Sequence, residues 1–426
     1  MAGRFGAASG TASSGASPPD VSLLGMPRWM LCYVLLGLVQ SGMVPVILPL
    51  AAAPGPAAGL TYAAFAAAGI AAPFIGAWSD RHRRHRRTLA AGLGLAGLGL
   101  IAHSLPGGLV QHMASAALIG FGASSASTVA TMFIVEVVPE AAWDGQISAL
   151  QACTGGGQLG GLLIAGALGL HHVEAAFLLG AAVLLAAVPL ALAFAPDPLV
   201  KVSRADLAPR PARGGDAIAI GPQRSLHRVS WRAIAGLGHS GLAWFLAAWL
   251  VSYTATNGLS VMFAVAMVRD YHAPATWPTT AYAIGVGCSL LVYRLVGRWD
   301  SRFGPWRVLG AGLASRALLV GGLVVLTASH AQTAMAPILL CFAATQVAWP
   351  LLSVASTRLS VTLSPAHRAE SAGLLNAATS VGATIGGVVG GVLLHAGFVW
   401  LCAAVLAALV LSLLLAWHPR VRLGPA

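Results

Sequence analysis

Residues 75–89 read "IGAWSDRHRRHRRTL". Asp80 is followed by Arg81, Arg83, Arg84, Arg86 and Arg87, with His82 and His85 between them. Long apolar segments flank this run on both sides. The 426-residue chain is 57% hydrophobic and only 8% charged, with a mean hydropathy of +0.80. A water-soluble domain carries about 25% charged residues. The basic run is therefore a short loop at a membrane surface, and the segments around it are membrane spans.

Outward from this loop, apolar runs of roughly 20 residues, the length that crosses a bilayer, recur along the whole chain. Spans are predicted at 29–52, 58–79, 88–105, 111–136, 145–170 and 173–195, then at 240–268, 276–298, 306–329, 333–361, 369–395 and 398–417. Backbone polar groups in lipid must be paired internally, so the spans are helices; a barrel would show alternating strands of about ten residues. The expected fold is an all-α integral membrane protein with two six-helix bundles, 27–195 and 236–418. A Gly/Ala/Ser-rich N-terminus (1–26), expected to be disordered, a Pro/Arg/Gly-rich linker (196–235) and a short tail (419–426) complete it.

Orientation follows from the basic residues. With the N-terminus placed in the cytoplasm, of the 24 Lys and Arg only Arg269 falls on the opposite side, and Arg316 falls within a span. Cytoplasmic loops carry the positive excess, so both termini are expected inside. The formal charge of +12 is then topological and does not indicate nucleic-acid binding. The five cysteines lie inside apolar runs without CxxC spacing, so no metal site or disulfide framework is expected.

The halves echo each other. "GAWSDRHRR" from Gly76 returns as "GRWDSRFGPWR" from Gly297, and "CTGGGQLGGLLIAG" (153–166) aligns with "TSVGATIGGVVGGV" (379–392). The second match sets Gly156, Gly160 and Gly161 over Gly382, Gly386 and Gly387, with Gly390 four residues on. Glycines at this spacing let helices approach closely. They serve either fixed packing or a surface that slides.

These features together resemble the major facilitator superfamily. The family signature between helices 2 and 3, approximately G-x-x-x-D-R-x-G-R-R, is matched by Gly76, Asp80, Arg81 and Arg84, with Arg83 replacing the second glycine. A degenerate copy stands at Gly297, Asp300 and Arg302. The resemblance implies a conformational latch: Asp80 faces a helix N-terminus of the other half, and Arg84 pairs with an acid at the end of helix 4, for which Glu136 is placed. It also implies transport of a small molecule, often coupled to a proton gradient, and by likeness to efflux members, export from a bacterial cytoplasm across the inner membrane by a monomer. The chain departs from the drug/proton antiporters, with Ala116 where helix 4 carries an arginine and no proline after the fifth-helix glycines.

A substrate cavity would be lined by neutral polar and aromatic groups from several spans: Gln40, Thr128, Gln151, Tyr253, Asn257, Tyr282, Gln346, Trp349 and Asn376. Arg358 at the inner mouth is a further candidate; it either attracts an anion or snorkels to the interface. Arg316 is the poorer candidate, because in the family helix 9 supports the cavity from outside. No carboxylate falls at mid-depth, so the coupling ion is open. An importer of a sugar-like or anionic metabolite is the alternative. An integral-membrane enzyme has no HExxH motif or nucleophile–base pair to support it, and no cofactor is expected.

Overall fold

The computed structural model describes residues 27–52, 56–137, 143–168, 172–196, 241–329, 335–363 and 368–417. Within these, the side chains of Asp80, Glu136 and Arg294 and the surroundings of Gly297 lie outside the description. The segments expected at 1–26 and 419–426, and the linker from 197 to 235, also lie outside the described residues.

The described residues form twelve helical rods. In chain order α1 is Arg28–Ala51, α2 runs 56–82, α3 is His85–Ser104, α4 is Leu109–Val137, α5 is Trp143–Leu168 and α6 is Val173–Phe194. The second set is α7 Gly241–Arg269, α8 Thr276–Phe303, α9 Pro305–Ala328, α10 at 335–362, α11 Arg368–Ala396 and α12 Phe398–Ala416. Eight are long and apolar enough to cross a membrane by composition alone; α2, α3, α5 and α8 are not among them. In α2 the apolar part, Pro56–Ala71, is shorter than a full span, and in α3, α5 and α8 glycines and polar groups dilute the hydropathy; all four pack against other helices.

Three rods are broken near their midpoints, each beside a proline. In α1 a π-helical stretch, Gly37–Met43, precedes Pro45. In α2 a 3₁₀ turn, Ala68–Ala71, precedes Pro73. In α10 the helix stops at Val347 and restarts at Trp349, with Pro350 in the new first turn. Proline has no N–H for the carbonyl four residues earlier, so the ladder loosens there. Such irregular backbone is tolerated at membrane depth where it lines a cavity.

Each bundle is built on the same plan. Helix α1 packs on α5 as α7 packs on α11, and α3 packs on α4 and α6 as α9 packs on α10 and α12. Glycine allows the first pairing. A Cβ on Gly42 would stand 2.6 Å from the Gln158 carbonyl oxygen, and one on Gly157 or Gly161 would overlap the carbonyls of Val34 and Leu38. In the second half a Cβ on Gly258 would stand 2.7 Å from the Gly386 oxygen, and Gly382 and Gly390 also lie against α7. By packing, Gly157 and Gly161 are thus the counterparts of Gly382 and Gly386. The repeat is one residue out of step with the sequence alignment. Gly156, expected to pack, is exposed with nothing near its Cβ position, and Gly160 meets only Leu38 Cδ1 at 3.9 Å. The helix turns both away from the α1 backbone.

The halves meet through α2 with α11, α5 with α8, and α1 with α7. Among the described residues, their close contacts cluster from mid-depth to the end opposite the arginine-rich turn. There Gly59 packs on Gly387 and Gly391, and Gly166 lies beside Thr279. Arg269 donates to the carbonyls of Ala52 (2.7 Å) and Leu50 (3.4 Å) at the α1 C-terminus, where a cation is favoured by the helix dipole. The one arginine that the topology leaves on this side thus ties the two halves together.

Candidate functional site

The breaks in α1, α2 and α10 border a cavity of about 360 Å³ between the two bundles. The π-helical stretch brings Gln40 to its wall, and Ser127 Oγ donates to Gln40 Oε1 at 3.0 Å. Across the cavity Asn257 Nδ2 donates to the Tyr62 hydroxyl at 3.3 Å, joining α7 to α2. Gln346 Nε2 lies within reach of Ser260 Oγ (3.4 Å) and Thr345 Oγ1 (3.3 Å), and Trp249 Nε1 donates to Thr379 Oγ1 at 2.9 Å. The Asn257 Oδ1 is occluded and has no hydrogen-bond partner.

One wall is aromatic. Tyr253 and Trp349 line it with ring centroids 5.9 Å apart, and the buried Trp249 ring packs against both at 5.9 and 6.2 Å. Against Trp349 lies Arg316 of α9, only 4% exposed, with its guanidinium 5.7 Å from the centre of that ring. Its Nε donates to the Thr345 carbonyl at 3.0 Å. An unbroken α10 would pair that carbonyl with the Trp349 amide; the break at Ala348 frees it for the arginine. Arg316 is about 16 Å along α9 from Pro305, at 1.5 Å per residue, and so near mid-depth.

Of the residues named from sequence, Gln40, Tyr253, Asn257, Tyr282, Gln346 and Trp349 line this cavity, together with Tyr62, Gln158, Ser260, Thr379 and Ser380. Four other expected residues are elsewhere. Gln151 and Asn376 are exposed, seven residues nearer the arginine-rich face than Gln158 and Ala383 on the same helical stripes. Periodicity gives the face of each and is silent on its depth. Thr128 donates to the Ser124 carbonyl at 2.7 Å and packs on Gly76, where an added Cβ would stand 2.9 Å from its methyl. Arg358 does not reach the cavity, because Asp300 holds it. Arg316, the poorer candidate by sequence, is the cavity's cation. The signal for it was Pro350, which breaks α10 and opens the way for a side chain from the helix behind.

At the arginine-rich face the turn between α2 and α3 is pinned from within. Ser79 Oγ bonds His85 Nδ1 at 2.9 Å, Thr88 Oγ1 donates to Ser79 Oγ at 3.1 Å, and the Arg84 amide donates to the Ser79 carbonyl at 3.1 Å. The side chains of Arg81 and Arg84 are exposed. The expected partners Asp80 and Glu136 have side chains outside the described residues. In the second copy, Asp300 is 3% exposed and accepts from Arg358 Nη1 at 2.5 Å, joining α8 to α10 within one bundle, while Arg302 is exposed beside the Phe303 ring.

Removing one partner of a buried pair leaves an uncompensated charge, whereas neutralising the buried acid does not. Arg358 is 52% exposed, which discounts the effect. Arg358→Ala is expected to cost about 1–3 kcal/mol, Asp300→Asn less, and the double variant less than Arg358→Ala alone. Thermal unfolding of the four proteins in detergent checks this; additive losses would show that the pair is not coupled.

A sequence-family model described as "Major Facilitator Superfamily" matches residues 29–361 and 245–425. The chain belongs to the major facilitator superfamily. No curated protein matches the sequence. Among solved structures the chain is similar to a mutant form of the nucleoside transporter NupG, with a TM-score of 0.71 at 13% identity over 91% of this chain and 97% of that one. It is also similar to a D-xylose-proton symporter (TM-score 0.69, 14% identity, 93% and 97%) and to a bacterial homologue of the iron transporter ferroportin in an inward-facing state (0.67, 18%, 93% and 98%). At these identities the likeness establishes the fold, with its two six-helix bundles. Membership of the superfamily makes the chain a multi-pass membrane transporter of small molecules.

Proposed function

We propose that this chain is a secondary active carrier that exports a small organic molecule by alternating access, working as a monomer in a bacterial inner membrane with both termini in the cytoplasm. The observation that carries the reading is the cavity itself. It lies at the junction of two repeated bundles, where substrate sites of such carriers form. Its polar and aromatic lining comes from both bundles, and the halves are sealed against each other on the side away from the arginines. The arginine excess on the other side supports an orientation in which the sealed side faces out of the cell. Import of a polar or anionic metabolite is the second reading, favoured by the hydrogen-bonding groups and the arginine in the wall.

The latch completes the cycle. Asp80, Arg84 and Glu136 would fasten the arginine-rich face in the opposite state, through a carboxylate at helix N-terminal dipoles and a charge-assisted Arg–carboxylate pair. The described carboxylates Glu174, Asp270 and Asp300 all lie at helix ends. Glu136, at the end of α4 and paired with Arg84 in the latch, is the acid through which the cycle would couple to a proton gradient. Flux of candidate compounds in vesicles, with and without a pH gradient, tests the scheme. Asp80→Asn is expected to slow transport while leaving substrate affinity nearly intact, and Glu136→Gln to remove any response to the gradient. Abolished binding with an intact cycle in Asp80→Asn would refute the latch. Uptake into cells against a gradient would favour the importer.

A further inference from the structure

An arginine buried at mid-depth with no acid beside it calls for a ligand. Removing a guanidinium from water costs several kcal/mol unless a counter-charge and hydrogen bonds replace the lost solvation, and ionisable groups inside membranes mark substrate paths. Among the described residues Arg316 has one hydrogen bond, from Nε to the Thr345 carbonyl, and no carboxylate partner. Its two terminal nitrogens make no hydrogen bond, yet they are not among the occluded unpaired atoms, and the residue lines the cavity. The free end of the guanidinium fork is therefore available from the cavity. That fork matches a carboxylate or a phosphoryl group with two parallel hydrogen bonds.

The surroundings specify the rest of the molecule. The Trp349 ring lies against the guanidinium and, with the neighbouring Tyr253 ring, offers a flat apolar face to the cavity, while Gln346 and Asn257 supply hydrogen bonds further along the wall. A volume of about 360 Å³ is near the lower end of small-molecule sites.

We propose that the cavity binds a small organic anion, with its charged group held by the terminal nitrogens of Arg316 and its ring or chain laid on the Tyr253 and Trp349 rings. This deepens the carrier reading and rests on it. It also bears on the cycle, since a filled site neutralises the arginine before the cavity closes over it.

The test uses the purified full chain and matched probes: benzoate, phenyl phosphate and benzenesulfonate against neutral benzamide and benzyl alcohol, with sodium sulfate as the inorganic arm. Thermal stabilisation and calorimetric binding are read for wild type, Arg316→Lys and Arg316→Gln. At least one aromatic anion is expected to stabilise the wild type where its neutral counterpart does not. Its affinity should fall about 10- to 100-fold in Arg316→Gln and less in Arg316→Lys, which keeps the charge but loses the fork. Equal binding of anion and neutral analogue, or stabilisation by none of the three anions, would overturn the proposal. Sulfate binding as tight as that of the aromatic anions would overturn the part played by the rings. If Arg316→Gln does not fold, the matched pairs on wild type and Arg316→Lys still decide. Failure of transport is a separate result: binding without flux in vesicles would sink the carrier reading and leave the anion site standing.

Discussion

In a background whose five native cysteines are replaced by alanine, Gly166→Cys combined with Thr279→Cys will stop transport on oxidation and restore it on reduction. A Cβ on Gly166 would stand 3.1 Å from the Thr279 Cβ, a few tenths of an ångström inside the span of about 3.5–4.5 Å that disulfides bridge. These positions lie at the sealed end, on α5 of one bundle and α8 of the other. Any state that opens this end must part them, and rocking of rigid halves is the movement expected of this architecture. Flux through oxidised protein should fall to that of empty vesicles, with the reduced double variant and Thr279→Cys alone still transporting. Full flux through protein shown by gel shift to be crosslinked would mean that the halves do not separate here.

The second large effect concerns the glycines. Gly161→Val places a branched side chain where even a Cβ would overlap the Leu38 carbonyl oxygen. That neighbour is backbone, so α1 and α5 must be pushed apart. Overpacking costs about 1–3 kcal/mol where side chains can give, and here the loss should reach or exceed the top of that range. Gly156→Ala, five residues earlier, meets nothing within 4 Å, and relief of glycine's helix penalty should leave the protein unchanged or more stable by roughly 0.5–1 kcal/mol. Heating followed by size-exclusion chromatography separates the two outcomes. Equal losses would mean that the α1–α5 contact does not depend on glycine.

The repeated "GG" pairs show where sequence reasoning stops. Four-residue spacing reveals that one face of a helix is bare, but both Gly156–Gly160 and Gly157–Gly161 satisfy it. A rotation of about 100° per residue decides which pair meets α1. Only the neighbouring helix distinguishes them. The cavity carries the same lesson in the other dimension. Gln151 and Gln158 share a stripe, so periodicity names them both, and depth within the assembled bundles separates the wall residue from the exposed one.

What the chain alone determined is what the bilayer dictates locally: apolar length, helical period and the side that keeps its arginines. Those follow from the cost of burying unpaired backbone and charge and need no knowledge of neighbours. Tertiary structure decided the rest. Arg358 is taken by Asp300 from another helix of its bundle, while Arg316 enters the cavity through the break that Pro350 makes in α10. A charged side chain's role is set by which partner lies within a few ångströms, and in this fold that partner comes from a helix tens of residues away.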